Sequence, residues 1–221
     1  SRRCPVANII ISTNGFATNL ILSQVKEIIK IQPKIGIAVS IDGIGEKHDE
    51  TRGILGGFEK VMATFKGLRE LGVKNLKIAF TLGDYNFAEL PPVYNLAREL
   101  GVEFSLAVAH SSENFFSKEN KINKKKELAE KLNWLIKNEL ASRSPKRWAR
   151  AYFAYGAKLY VETGRRILPD YSGKDNVFID PLGDIYPCDV SSEKIGELKN
   201  FCVFSKVKDD KKCARSWMIC T

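Results

Sequence analysis

Short apolar runs alternate with stretches of helical spacing through the first half of the chain. Four apolar runs predict buried strands, at residues 8–12, 35–41, 76–82 and 102–108. Between these runs, apolar residues at helical spacing predict helices that open at Thr18, at about Phe58 and after Asn86. Strands joined by single helices need right-handed parallel crossovers, so we predict an α/β fold, either a doubly wound sheet or a barrel.

Local patterns also predict structure at single positions and in the second half. Asn86 and Glu89 have the spacing of a capping box, in which the two side chains cap one helix. Leucines at helical spacing predict a long helix near residues 128–140, and a further helix is predicted at residues 146–162. The second of these helices carries an aromatic stripe that we interpret as core packing rather than as a cofactor contact: Trp148, Tyr152 and Tyr155.

A polar segment follows the second predicted strand. It reads Ser40-Ile-Asp-Gly-Ile-Gly-Glu-Lys-His-Asp-Glu-Thr-Arg-Gly53. The preceding strand ends in Thr13-Asn-Gly15. Because α/β sheets place their ligands at the carboxyl ends of parallel strands, these polar residues predict a ligand site.

These two segments together resemble radical S-adenosylmethionine enzymes. Members of that family carry a TNG sequence after one barrel strand and an S-[IL]-D-G…H-D…R-G sequence after the next. Gly56-Gly-Phe58 also matches the usual continuation into the following helix. The resemblance implies a partial (βα) barrel of parallel strands over residues 1–144, followed by a second domain over residues 145–221.

The resemblance also implies roles for individual side chains. Ser40 would hydrogen-bond the methionine or ribose portion of S-adenosylmethionine, and Arg52 would face its carboxylate. Asn14 would reach the cofactor or the substrate. Asp42 would either line the pocket or cap the following turn, and both interpretations remain open. For the neighbouring His48-Asp49 pair we expect structural roles: His48 packs under the loop and Asp49 caps a short helix.

The last quarter of the chain resembles the auxiliary-cluster region of the same family, of the SPASM or twitch type. Residues 176–188 predict a hairpin that ends in Tyr-Pro-Cys188. Three cysteines stand at matching positions and are candidate ligands of an iron–sulfur cluster: Cys188, Cys213 and Cys220. Asp170 and Ser216 occupy places where relatives have cysteines, so Asp170 is a candidate oxygen ligand. The alternative is a degenerate site with inert thiols. The two other cysteines, Cys4 and Cys202, fit no family position.

One departure from the family pattern concerns the catalytic centre. The family holds its catalytic [4Fe–4S] cluster in a CxxxCxxC loop, and the 221 residues contain no such spacing. The resemblance therefore implies the C-terminal portion of an enzyme that reductively cleaves S-adenosylmethionine to a 5′-deoxyadenosyl radical for hydrogen abstraction, with a peptide or protein as substrate. The alternative is a non-catalytic scaffold or binding protein of the same descent. Without the two preceding strands, the first predicted strand would have an unpaired edge.

Composition and net charge limit the kinds of partner that we expect for this chain. The chain is 44% hydrophobic, enough for one large or two smaller cores. We find no leader and no bilayer-length apolar run, so we expect a cytoplasmic protein without a membrane partner and without disulfides. A net charge of +9 is compatible with nucleic-acid binding, but the lysines are scattered, which favours a solvated surface and no specific nucleic acid. The expected partners are the cofactor, a peptide or protein substrate and an electron donor.

Overall fold

A computed structural model describes residues 7–111, 120–167, 169 and 171–200 of the chain. Its first part alternates strands and helices as the hydrophobic pattern predicts. The elements, in chain order, are β1 (Ile10–Thr13), α1 (Thr18–Ile31), β2 (Gly36–Ser40), α2 (Glu46–Arg52), α3 (Gly57–Glu70), β3 (Asn75–Leu82), α4 (Leu90–Glu99) and β4 (Glu103–Val108). A 3₁₀ turn, Phe87–Glu89, precedes α4.

The four strands form one sheet in the order β1-β2-β3-β4. Strand β2 pairs in parallel with β1 on one side, where Ile10 faces Gly36, and with β3 on the other, where Gly36 faces Asn75. The predicted α/β fold with parallel strands is thereby confirmed, and the four-stranded sheet agrees with the predicted partial barrel. In the described part of the chain β1 lies at the edge of the sheet, as predicted.

The two faces of the sheet differ in chemistry. On β3, Leu76, Ile78, Phe80 and Leu82 are buried, whereas the alternate positions are only half-buried. Fully burying an apolar side chain of this size contributes about 1.5–3 kcal/mol, so the apolar face fixes the register of the strand. On β2 and β3 the opposite face carries small or polar side chains. Because paired residues of parallel strands point the same way, Ser40 shares this face with Ala79.

The chain divides into two compact units between Ala107 and Val108. The predicted domain boundary at residues 144 and 145 remains a prediction. The second unit contains α5 (Lys125–Leu140), α6 (Pro145–Thr163) and three short strands, β5 (Phe178–Ile179), β6 (Asp184–Tyr186) and β7 (Gly196–Glu197). We call residues 171–200 the hairpin module. Antiparallel pairing of β5 with β6 confirms the predicted hairpin, and β7 adds a third strand.

Helix α6 packs against α5 and buries mainly small residues. Its Ala151, Ala154 and Ala157 are buried. The interpretation of the aromatic stripe as core packing is wrong, because the exposed fractions are 48% for Trp148, 55% for Tyr152 and 43% for Tyr155. A helix period shows which residues share a face, but not which face is buried. In the part of the chain that the structure describes, no helix is both long enough and apolar enough to span a bilayer.

Candidate functional site

Polar side chains converge at the carboxyl ends of β2 and β3. We call Ser40, Asp42, Arg52, Thr81 and Asn86 the strand-end site. Asp42 is buried two residues beyond Ser40, the last residue of β2. Its Oδ1 accepts a hydrogen bond of 2.8 Å from the Thr81 N–H, and its Oδ2 forms an ion pair with Nη2 of Arg52. Two of the residues singled out in the sequence are thus in direct contact, and Asp42 joins the ends of two strands.

Arg52 retains donors that the protein does not use. It is the last residue of α2, which ends at Gly53 in the left-handed region. Its side chain is 28% exposed, and its Nε is buried without a hydrogen-bond partner in the structure. A guanidinium carries five N–H donors in a planar fork. An acceptor such as a carboxylate would satisfy the remaining donors.

Ser40 and Asn14 lie near strand ends, but among the described residues neither side chain is hydrogen-bonded to Arg52. The Ser40 side chain is half-buried, and within the described residues its hydroxyl makes no hydrogen bond. Asn14 is exposed beyond β1, and its side-chain oxygen accepts from the Phe16 N–H at 3.2 Å. Because β1 flanks β2 on the side away from β3, Asn14 lies across β2 from Thr81.

His48 has the structural position that the sequence predicts. It is fully buried, with its ring 5.9 Å from that of Phe16 and 6.0 Å from that of Phe58. Its Nδ1 accepts a 3.1 Å hydrogen bond from the Asp42 N–H, so the neutral ring carries its proton on Nε2. Burial lowers the pKa of His48, and the charge of Arg52 lowers that pKa further. His48 therefore supports the loop as an uncharged group.

Asp49 caps a helix, but the predicted short helix is wrong, because Asp49 lies within the short α2 and caps the longer α3 that follows. Its Oδ2 accepts from the Gly56 N–H at 2.6 Å and its Oδ1 from the Phe58 N–H at 2.7 Å. Both amides lie at the start of α3, where backbone N–H groups lack partners within the helix. The carboxylate also complements the positive end of the helix dipole.

The predicted capping box at Asn86 and Glu89 is wrong. Asn86 caps no helix with its side chain. Its Oδ1 accepts from the Gly83 N–H at 2.9 Å, and its Nδ2 donates to the carbonyls of Asp42 at 3.1 Å and Thr81 at 3.0 Å. The carboxylate of Glu89 accepts from the Ile44 N–H at 2.9 Å. Both side chains therefore hold the loop that follows β2.

The sequence analysis did not name Tyr85 as a site residue, although Tyr85 follows a strand just as Asp42 does. Its side chain is 55% exposed. Partial desolvation of the phenol raises its pKa, the charge of Asp42 raises it further, and the charge of Arg52 opposes both effects. One sequence feature could have identified Tyr85. Like the polar residues after β2, it lies at the carboxyl end of a parallel strand.

The predicted cluster ligands are only partly within the described residues. Cys188 is disulfide-bonded, which corrects the expectation that the chain has no disulfides. Cys213, Cys220 and Asp170 lie outside the described residues. Within those that are described, no group of three His, Cys, Asp or Glu side chains is placed to hold a metal ion.

A second polar pair lies beside Cys188. His110 Nε2 is 3.1 Å from Oδ2 of Asp189, and both side chains are largely buried. The hydrogen bond to Asp189 raises the pKa of His110, and burial opposes it. Sequence reasoning named neither residue as functional, because they are 79 positions apart in the chain.

Comparison with known proteins gives consistent results. No family model matches the chain. The Pre-heme d1 synthase of Dinoroseobacter shibae is 32% identical over 93 residues, which are 42% of this chain and 22% of that protein. The sporulation killing factor maturation protein SkfB of Bacillus subtilis is 30% identical over 86 residues, 37% of this chain and 21% of that protein. The matched region thus spans about a fifth of each curated relative.

A solved structure shares the fold. Native anSMEcpe with bound AdoMet and the Kp18Cys peptide superposes with a TM-score of 0.53 at 15% sequence identity. The superposition covers 87% of this chain and 55% of anSMEcpe. The chain therefore shares the fold of anSMEcpe, and part of its sequence is similar to Pre-heme d1 synthase and to SkfB, in agreement with the resemblance to radical S-adenosylmethionine enzymes.

Proposed function

We propose that the chain is the C-terminal portion of a radical S-adenosylmethionine enzyme and that its strand-end site binds the amino-acid end of the cofactor. The observation that carries this proposal is Arg52. Asp42 fixes its guanidinium through Nη2, while the side chain remains 28% exposed and its Nε has no hydrogen-bond partner among the described residues. The Ser40 hydroxyl, at the end of the same strand as Asp42, also makes no hydrogen bond within the described residues. This donor set fits a ligand that carries a carboxylate.

Each residue of the site has a defined task in this proposal. Arg52 binds the carboxylate, and Ser40 donates to the methionine or ribose portion. Asp42 holds the guanidinium in place, and the Thr81 amide and the Asn86 side chain hold Asp42. Asn14 remains a candidate contact on the β1 side. In this superfamily bound S-adenosylmethionine supplies hydrogen-atom abstraction through a 5′-deoxyadenosyl radical, while the protein orients it and excludes water.

Calorimetry tests the cofactor site. The protein measured is the chain extended at its amino end through a CxxxCxxC loop, which we call the extended chain. Arg52→Ala should weaken S-adenosylmethionine binding at least about tenfold, because hydrogen bonds to a charged group contribute about 1.5–3 kcal/mol. The matched control is Arg98→Ala, which removes an exposed arginine at the end of α4. Equal affinities for the two variants would contradict the proposal.

We also propose an auxiliary iron–sulfur cluster held by Cys188, Cys213 and Cys220, with Asp170 as a fourth ligand. Thiolates are the usual ligands of such clusters, and the proposal requires the disulfide at Cys188 to be reduced. A reducing, cytoplasmic location agrees with that requirement. Anaerobic purification of the chain followed by iron and sulfide analysis should show both elements, and Cys188→Ser should lower both. Stoichiometric zinc, or no metal at all, would contradict the cluster.

The substrate we propose is a peptide or protein. SkfB is named for maturation of a killing factor, and the anSMEcpe structure holds a peptide. The haem-related name of the Dinoroseobacter protein supports a tetrapyrrole instead. Under anaerobic, reducing conditions with an artificial electron donor, the Kp18Cys peptide should stimulate 5′-deoxyadenosine formation by the extended chain more than haem does. Stimulation by haem alone would exclude the peptide proposal, and no 5′-deoxyadenosine at all would favour a non-catalytic scaffold.

A further inference from the structure

Tyr85 lies at the strand-end site, but the cofactor proposal gives it no task. It belongs to a tight loop between β3 and the 3₁₀ turn. The Asn86 N–H donates to the Gly83 carbonyl at 3.3 Å, and the Gly83 N–H donates to Oδ1 of Asn86 at 2.9 Å. Because Asn86 is also hydrogen-bonded to the carbonyls of Asp42 and Thr81, the loop that carries Tyr85 is anchored to the site itself.

The ring of Tyr85 lies directly over Gly83. A Cβ atom at Gly83 would be 2.5 Å from Cε1 and 2.9 Å from Cζ of Tyr85. Such distances are too short for carbon atoms in contact, so glycine at this position lets the ring lie against the backbone. The neighbouring Asn86 donates to the carbonyl of Asp42, so the loop that carries the ring lies beside the Asp42–Arg52 ion pair. In agreement with this placement, the charges of Asp42 and Arg52 both act on the pKa of the phenol.

The phenol of Tyr85 remains available to a ligand. Its hydroxyl makes no hydrogen bond within the described residues, and more than half of the side chain is exposed. Its pKa is raised above the ordinary 10.0, so the oxygen keeps its proton at neutral pH and can donate. Arg52, whose side chain is 28% exposed, also has a donor without a hydrogen-bond partner among the described residues, its Nε.

We propose that the Tyr85 hydroxyl and the Arg52 guanidinium bind the same ligand carboxylate, so that Tyr85 makes the site selective for an amino-acid ligand. This inference rests on the proposed cofactor site, because Arg52 supplies the other half of the pair. The hydroxyl adds a neutral donor from a second side chain to the charged fork of Arg52, so the carboxylate would be recognised from two directions. Tyr85 is a ligand-binding residue in this scheme, and Gly83 and Asn86 position it.

Calorimetry on the extended chain tests the inference with two ligands. S-adenosylmethionine carries the carboxylate, and decarboxylated S-adenosylmethionine lacks it. Tyr85→Phe removes only the hydroxyl, so it should weaken S-adenosylmethionine binding about tenfold or more. The same variant should change the affinity for the decarboxylated ligand less than about twofold. Tyr152→Phe, which removes an exposed hydroxyl from α6, is the control and should change neither affinity.

A double-mutant cycle provides a second measurement. Gly83→Ala keeps the backbone N–H that binds Asn86 but displaces the ring, so it should weaken S-adenosylmethionine binding when Tyr85 is present. In the Tyr85→Ala background, Gly83→Ala should have no further effect, because the two residues would act as one unit. Independent, additive losses would overturn the inference, and unchanged melting temperatures for Tyr85→Phe and Gly83→Ala would show that folding is intact.

The failure of this inference can be distinguished from that of the cofactor site. If Arg52→Ala weakens binding and Tyr85→Phe does not, only the role of Tyr85 is overturned. The same holds if Tyr85→Phe weakens both ligands equally, because the hydroxyl would then contact another part of the ligand. If the unsubstituted protein binds neither ligand, or if Arg52→Ala binds as tightly as Arg98→Ala, both proposals are overturned.

Discussion

The strand-end site and the hairpin module are held together by different forces. The strand-end site stands on a sheet whose apolar face is buried, and its carboxylate and carboxamide groups bond to backbone amides and carbonyls. In the described part of the hairpin module, the buried apolar residues are Ile185 and Pro187. Lys194 bridges Asp184 and Glu197 there, but the three side chains are partly exposed, so these pairs stabilise little.

This difference bears on how each region can bind a ligand. The strand-end site is formed by the fold before any ligand arrives, which lowers the ordering cost of binding. The hairpin module has little hydrophobic burial of its own. If it holds a metal cluster, metal binding and folding of the module are coupled, as in other small metal-binding regions.

The largest expected loss of stability comes from removing a core side chain, and it should differ between the two regions. Phe80→Ala should destabilise the first unit by about 4 kcal/mol, because the side chain is fully buried and a cavity would remain. Ile185→Ala should cost about 2 kcal/mol, at the low end for this type of substitution, because a module with few packed neighbours can collapse around the gap. Denaturant unfolding followed by circular dichroism measures both losses. Equal losses would contradict the comparison.

The next effect concerns the polar network of the strand-end site. Asp42→Ala should destabilise the chain by about 3 kcal/mol, because it leaves the Arg52 charge and the Thr81 N–H without their partner. Glu46→Ala, at an exposed position on the same helix as Arg52, is the control and should cost less than about 0.5 kcal/mol. The free energy of unfolding in urea gives the result. A loss below about 1 kcal/mol would mean that Asp42 does not hold the site together.

The two histidines of the chain allow a comparison through pH. The pKa of His48 is lowered, so its contribution to stability is full above the ordinary value of 6.5 and is lost as the pH falls through the folded value. The pKa of His110 is raised, so its contribution is full below 6.5 and is lost as the pH rises through the folded value.

Hydrogen exchange resolved by segment can separate the two histidines. Between about pH 5 and about pH 8.5, corrected protection should rise around His48 and fall around His110. His48→Gln and His110→Gln should each abolish the trend in their own region only. Parallel trends in the two regions would show that another titrating group dominates.

The smallest expected effect tests the exposed stripe on α6. Tyr152→Ser should change the free energy of unfolding by less than about 0.5 kcal/mol, because the side chain is exposed at the helix surface. Ala154→Ser, at a buried position of the same helix, should cost more, since it buries a hydroxyl. Thermal unfolding of the two variants provides the measurement. A larger loss for Tyr152→Ser would restore the core-packing interpretation.

The sequence pattern predicted those features that depend on local spacing. Apolar runs located the strands, and polar residues at a strand end located Asp42 and Arg52. Local spacing gave a wrong prediction at Asn86, where it indicated a capping box. The Asn86 side chain instead donates to the carbonyl of Asp42, 44 positions earlier in the chain. That contact exists only because β2 and β3 are neighbours in the sheet. The place of Tyr85 over Gly83 depends on the same loop, and a linear pattern does not reveal it.

The outer edge of β1 allows the sheet to grow. Among the described residues no strand pairs with that side, so the backbone of Ile10–Thr13 offers its free amide and carbonyl groups there. A further strand could be added in parallel without disturbing the registers of β1 to β4. Its final residue would then lie beside Asn14, and the rim of polar groups would extend by one position.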